Sequence, residues 1–419
     1  MPPSLVTLLY ALLWLPVLPL ALVYLLWRAR RQPDYLAHWG ERLGWGPVAG
    51  RRPRILVHAV SVGETRAAEP LLRRLMERYP GHEILLTHTT PTGRETGFSL
   101  FGDRVRQAYL PYDFPPLVAL FLARARPAMV VVMETEIWPG LFLACRRRGI
   151  SAFLVNGRLS ERSLRGYGRV RALVAPALAG LTGVAAQTRD DAERLARLGA
   201  RAVRVTGNLK FDVAPGPAGE LAARIRERYP RRFVFLAAST RDGEEADLLD
   251  LLPRAPADVL LLLVPRHPQR FAEVGRLVAQ RGLDWGQRSA LDQAPADARV
   301  LLGDSMGEMA AYYAAARLAY IGGSLVPLGG QNLIEAAALG CPTLVGPHTW
   351  NFAEATEQAV AAGAARRVAD FAELGEFLAR LHQAPGELAA MAEAGRAFAE
   401  ANRGAAARTL DLLESARLN

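Results

Sequence analysis

The sequence predicts an α/β protein made of two doubly wound, parallel-sheet domains in tandem behind a membrane-anchoring helix. Three observations predict it. Its 419 residues are too many for one hydrophobic core. Short apolar, β-rich runs alternate with helical stretches, the pattern of a parallel sheet covered on both faces. From Ser4 to Trp27 no side chain is charged, a run long enough to cross a bilayer as one helix.

The apolar run comes first. Pro16 and Pro19 kink such a helix without forbidding it. It lacks the basic start, short apolar core and small-residue cleavage site of a signal peptide. The two cysteines, Cys145 and Cys341, lie too far along the chain for a lipoprotein. Residues 1–30 therefore read as an uncleaved single-pass anchor, with a buried or surface-lying hairpin as the alternative. Arg28, Arg30 and Arg31 follow directly, so the positive-inside rule puts the rest of the chain on the cytoplasmic side.

A first strand-and-helix series fills residues 31–212. "RILVHAVS" leads through "VGE" into "LLRRLMERYPG", "EILLTHTT" precedes "PTGRETG", "AMVVVMETE" precedes "IWPGLFLACRRRG", and "SAFLVNGR" precedes an Arg-rich helical segment. "VAPGPAGE", residues 213–220, reads as an interdomain linker. The units "RFVFLAAST", "VLLLLVPRH", "RVLLGDSMGE", "LAYIGGS" and "CPTLVGP", and a helical tail from Asn351 onward, make 213–419 the second domain.

Composition excludes several classes. Two cysteines at unrelated positions form neither a disulfide framework nor a metal pattern, so no structural metal is expected. The formal charge of +10 is spread along the chain without a nucleic-acid signature, so an anionic membrane or a phosphorylated lipid is the better partner. No Walker lysine motif occurs, and "GGSLVPLGG" lacks dinucleotide-loop spacing, which weakens ATPase and dehydrogenase readings.

Ligands of doubly wound sheets bind beyond the carboxyl ends of the strands. The polar residues expected there are Glu64, Thr90, Glu134 and Glu136 in the first half, and Ser239, Arg266, His267, Glu308 and Glu335 in the second. Within residues 322–352 a glycine-rich loop leads into a helix expected to begin near Gln331, whose amides suit a phosphate. Glu335, three residues past Asn332, either accepts from ribose hydroxyls or favours the helix dipole. In "TGNLKFD", Lys210 is the one lysine among 51 basic residues. It either serves a developing negative charge, pairs structurally with Asp212, or is a lone surface lysine.

Taken in order, "SVGE", "METEIWP", "LKFD", "VPRHPQRF", "GDSMGE" and "GGQNLIEAAALGCPTLVGPHTWNF" resemble the 3-deoxy-D-manno-octulosonic acid (Kdo) transferases of lipopolysaccharide synthesis. The resemblance covers nearly the whole chain. It implies a GT-B glycosyltransferase at the inner membrane, with two Rossmann-like domains facing a cleft. CMP-Kdo would bind the C-terminal domain and the lipid A precursor the N-terminal one, with inversion and without a metal or other cofactor. It implies Glu64 as catalytic base, a carboxylate that also suits that task on chemical grounds, and Glu134 and Lys210 as transition-state residues. Pro265 and Arg266 would meet the nucleotide, Met306, Gly307 and Glu308 would form the cytosine pocket, and Asn332, Leu333, Ile334 and Glu335 would complete the phosphate and ribose contacts. Ser239 and Thr240 are weaker candidates of that kind. The family usually has "GGHN" where this chain has Gly329, Gly330, Gln331 and Asn332, and Gln331 cannot carry a proton as His can. A sugar-nucleotide epimerase or hydrolase of the same architecture, and a tethered solute-binding protein, are the rival readings.

Overall fold

In the computed structural model, which describes residues 5–48 and 50–415, the chain divides into two compact units. Ser4, where the apolar run opens, lies outside the described residues. The first unit is Met1–Val213 together with Arg403–Asn419, and the second is Ala214–Asn402.

The first unit holds a parallel sheet of seven strands: β1 (Arg54–His58), β2 (Glu83–His88), β3 (Arg106–Tyr109), β4 (Pro127–Met133), β5 (Ser151–Gly157), β6 (Gly183–Ala186) and β7 (Val203–Val205). Their order is β3-β2-β1-β4-β5-β6-β7. Ile55 aligns with Ile84 on one neighbour and Met129 on the other. Alternation then sorts side chains by face. Leu56, Leu85, Val130, Val132 and Leu154 pack in one core, while Ile55, Val57, Val131, Met133, Phe153 and Val155 pack in the other. Such strands are apolar throughout because both faces are covered, and each buried Val, Leu or Ile side chain contributes roughly 1.5–3 kcal/mol.

The second unit repeats the plan with β8 (Phe233–Thr240), β9 (Val259–Pro265), β10 (Trp285–Gln287), β11 (Val300–Leu302), β12 (Leu318–Ile321), β13 (Thr343–Val345) and β14 (Ala365–Arg367). These seven strands run parallel in the order β10-β11-β9-β8-β12-β13-β14. Phe235, Leu261, Leu263, Leu302 and Leu344 centre its core.

The expected boundary of 213–419 is corrected at its C-terminal end. The helix Ala405–Glu414 packs in the first unit, where Ala405, Ala406, Leu412 and Leu413 join the core beneath β1. Asp212 fixes its start: Oδ1 accepts from the Gly404 amide at 2.6 Å and Oδ2 from the Ala406 amide at 2.5 Å. A carboxylate at a helix N-terminus satisfies otherwise orphaned amides. Both Asp212 carboxylate oxygens are thus engaged by that helix.

The apolar run forms helix α1 (Leu5–Ala29), with both prolines inside it. One flank of α1 lies along the first unit. Tyr10 donates its hydroxyl hydrogen to Asp113 Oδ2 at 2.7 Å, and Trp14 meets Tyr112 with ring centroids 6.2 Å apart.

Candidate active site

In the first sheet the strand order reverses between β1 and β4, and ligands of open α/β sheets sit at such a switch point. Both catalytic carboxylates expected from the sequence follow these two strands. Glu64 lies in the first turn of helix α2 (Val62–Arg78), and Glu134 directly follows β4.

The turn into α2 is set by Ser61 at the N-cap, in extended conformation, whose Oγ accepts from the Glu64 amide at 3.5 Å. Glu64 Oε2 accepts from the Val60 amide at 2.9 Å. Thr90, another expected strand-end residue, also serves this turn, donating to the Val60 carbonyl at 3.1 Å while capping its own helix. Burial pushes the Glu64 carboxyl up to about 8; the Val60 amide opposes this, Glu134 and Glu136 add to it, and Lys210 counteracts it. A carboxyl so raised titrates near neutrality, where a general base works best.

Glu134 adopts left-handed backbone, φ 54°, which costs a non-glycine residue on the order of 1 kcal/mol or more. Its amide donates to the Val155 carbonyl at 2.9 Å, and its Oε1 lies 3.0 Å from Lys210 Nζ. Glu136 accepts from the Trp138 indole at 2.9 Å and is also shifted up, by burial first. His58 meets Trp138 edge-on with centroids 5.4 Å apart, and burial drives its pKa down to about 3, so it stands neutral.

Lys210 sits in a single 3-10 turn, Leu209–Asp212. Asn208 Oδ1 accepts from the Lys210 amide at 3.0 Å, and Asn156 Oδ1 at the end of β5 accepts from the Leu209 amide at 3.0 Å. Asn156 is fully buried with φ 53°. Sequence reasoning missed Asn156, Asn208 and Ser61. The available signal was an Asn before Gly at a strand end and an Asn two residues before the lysine.

In the second unit the order reverses between β8 and β12. Arg266 follows Pro265 at the end of β9 and its amide donates to the Thr240 carbonyl at 3.0 Å. Thr240 is internal, donating to Glu245 at 2.8 Å, and Ser239 has φ 57°. Neighbouring arginines 241, 266 and 270, after burial, keep the His267 pKa below its ordinary value. After β11, Gly307 takes φ 81° beside an exposed Met306, and the Glu308 carboxylate is held by Ser305 and Arg288.

The glycine-rich loop differs from expectation. The helix after it is Ile334–Ala338, one short turn that starts three residues beyond Gln331. The Gly330 amide donates to the Gly323 carbonyl at 2.8 Å and the Gln331 amide to the Gly322 carbonyl at 3.1 Å, so neither serves a phosphate. Asn332 Oδ1 accepts from the Ile334 amide at 3.0 Å, with Leu333 between them, and the Tyr313 phenol is pushed up by burial first and by the nearby Glu335 carboxylate second. The loop hangs on Glu244, which sequence reasoning missed. This buried carboxylate accepts from the Gly323 amide at 2.8 Å, from the Arg241 amide at 2.8 Å and from the Tyr320 hydroxyl. Gly322 passes so close to Ser239 that a Cβ there would lie 2.5 Å from its carbonyl oxygen. Among the described residues no group of three or more His, Cys, Asp or Glu side chains converges on a metal-sized site.

The UDP-GlcNAc 2-epimerase of Neisseria meningitidis matches over 87% of this chain and 100% of its own, with a TM-score of 0.59 at 16% identity, a likeness of fold. Two successive parallel sheets of this kind make the chain an α/β protein of GT-B architecture. A family model described as "3-Deoxy-D-manno-octulosonic-acid transferase (kdotransferase)" matches residues 37–213. The 3-deoxy-D-manno-octulosonic acid transferase of Bordetella pertussis is 45% identical over 93% of this chain and 94% of its own, and that of Haemophilus influenzae 36% identical over 97% of each. The chain belongs to the Kdo transferases, a family of glycosyltransferases.

Proposed function

We propose that the protein transfers Kdo from CMP-Kdo to a lipid A precursor with inversion, Glu64 being the general base. The observation that carries this reading is Glu64 itself, a carboxyl raised to about 8 at a switch point, beside a Lys210–Glu134 pair. Ionised Glu64 takes the proton of an acceptor hydroxyl as its oxygen attacks the anomeric carbon of Kdo. The bond from that carbon to the CMP phosphate oxygen breaks, and its electron pair leaves on the phosphate. The Lys210 ammonium answers the charge that develops in the transition state. No step calls for a metal.

In this reading Pro265, Arg266, Met306, Gly307, Glu308 and the segment Asn332 to Glu335 hold CMP-Kdo. The backbone of residues 306–308 reads the cytosine, because the Glu308 side chain is already engaged by Arg288. Helix α1 and the arginines that follow it attach the protein to the inner membrane from the cytoplasmic side, where a lipid acceptor is reached.

The test is incubation of the purified protein in detergent with CMP-Kdo and the tetraacylated lipid A precursor, beside Glu64→Gln. Mass spectrometry is expected to find Kdo added to the lipid by the parent chain and not by the variant. Release of CMP with no gain of lipid mass would point to a sugar-nucleotide hydrolase instead.

A further inference from the structure

Helix α1 is apolar on every side, and a helix of that kind must be covered all round. Its burial is one-sided. Thr7, Leu25 and Ala29 are buried and Tyr10, Trp14, Leu18 and Leu22 half-buried, a single stripe at three- and four-residue spacing down the whole helix. The first unit covers that stripe through Tyr112, Asp113 and the helix Arg171–Leu178. The opposite face, including Leu5, Leu9, Leu12, Leu20 and Val23, is left exposed.

We propose that α1 does not cross the bilayer but lies in the plane of its near surface, with this leucine-rich face in the outer acyl region of an anionic leaflet. The helix is about 37 Å long, and Tyr10 lies nineteen residues before Ala29, about 28 Å along the axis. That distance nearly equals the hydrocarbon thickness of about 30 Å. A crossing helix with Arg28 at the near surface would therefore carry Tyr10 to the far side, and Asp113 with it. The helix Arg171–Leu178, which packs on α1 and begins with an exposed arginine, would be drawn in with it, and a charge placed in hydrocarbon is costly.

In the plane, each group finds its preferred depth. The leucines enter the acyl boundary to about 5–10 Å. Trp27, Trp39 and Trp45, all exposed, suit the headgroup level, and Arg162, Arg165, Arg169 and Arg171 are exposed to meet lipid phosphates. The covered stripe takes the part that a polar face plays in an ordinary interfacial helix.

The inference rests on the membrane attachment proposed above, and sidedness tests it. Leu5→Cys and Phe98→Cys, both at exposed positions of the first unit, are treated in spheroplasts with a membrane-impermeant maleimide before and after detergent lysis. The parent chain, with buried Cys145 and Cys341, sets the background. Both probes are expected to stay unlabelled in intact spheroplasts and to react together after lysis. In the same membranes a Trp14→Cys, Tyr112→Cys chain is expected to be bridged by a short bis-maleimide, with the linked peptides identified by mass spectrometry.

Labelling of Leu5→Cys from outside while Phe98→Cys stays protected would overturn the proposal. So would absence of the bridge when each cysteine reacts singly, or a Leu12→Cys disulfide between copies, which would mean that a second chain covers the face. Recovery of the parent chain in the soluble fraction would instead overturn the attachment itself, and the proposal with it.

Discussion

Lys210 Nζ stands 3.0 Å from Glu134 Oε1, and the two side chains are only 20% and 12% exposed. The pair joins a strand-end carboxylate held in left-handed backbone to a lysine in a turn whose Leu209 and Lys210 amides are held by Asn156 and Asn208. Removing one member of a largely buried pair strands the other charge. Lys210→Ala is expected to lower kcat by about 10²–10³-fold, as loss of a preorganised electrostatic group does. Lys210→Arg is expected to recover less than a tenth of that, since a planar guanidinium does not reproduce a compact ammonium. A double-mutant cycle with Glu134→Gln, read on kcat and separately on urea midpoints, distinguishes a catalytic lysine from a structural one. Equal rates in the lysine variants, with only stability lowered, would leave it structural.

Glu64 predicts a pH profile. The base must be ionised, so kcat/KM is expected to rise with pH and level off above about 8. Glu134→Gln removes a negative neighbour and is expected to shift that limb to lower pH; Lys210→Ala removes a positive one and is expected to shift it higher. Stability runs the other way. The folded pKa lies above the ordinary value of 4.5, so the folded chain holds this proton more tightly than the unfolded chain. Its contribution is complete below pH 4.5 and is lost as pH rises through about 8. Glu64→Gln, which does not ionise, is expected to gain on the parent by roughly 3–4 kcal/mol between pH 5 and pH 8, measured by urea unfolding.

Apolar periodicity made both sheets legible because a covered parallel sheet writes itself as continuous runs such as "ILV" at 55–57 and "VLLLLV" at 259–264. Strand ends then offered Glu64, Thr90, Glu134 and Glu136 in the first half, and the resemblance to the Kdo transferases singled out Glu64 and Glu134 among them. Tertiary partners were the illegible part. Nothing local marks Asn156 as the residue that fixes the turn of Lys210, or Glu244 as the anchor of a loop some eighty residues away. The helix after the glycine-rich loop was placed too early because Gly330 and Gln331 give their amides to Gly323 and Gly322, a choice set by the fold and not by propensity.

Glu244 invites the third prediction. Its carboxylate gathers the Gly323 amide, the Arg241 amide and the Tyr320 hydroxyl, all beside the switch point of the second sheet. Glu244→Ala leaves those donors buried without an acceptor and is expected to destabilise the protein by roughly 3–5 kcal/mol. Glu244→Gln keeps the shape and one oxygen, and is expected to fold while KM for the sugar nucleotide rises several-fold. The checks are urea unfolding for the first variant and steady-state kinetics for the second. A Glu244→Gln enzyme with unchanged KM would detach this loop from the donor site.

The C-terminal helix carries the last prediction. Asp212 caps it through the Gly404 and Ala406 amides, and Asp212 shares a 3-10 turn with Lys210. Asp212→Ala is expected to cost about 1–2 kcal/mol, the usual worth of an acidic cap. Because the capped helix completes the core beneath β1, deletion of residues 403–419 is expected to unfold the first unit and to spare the second. Residues 214–402 expressed alone should then unfold cooperatively in urea, whereas residues 1–213 without the helix should not. If the isolated 214–402 segment fails to fold while a 214–419 segment succeeds, the helix would belong to the second unit in solution, and the boundary read from the sequence would stand.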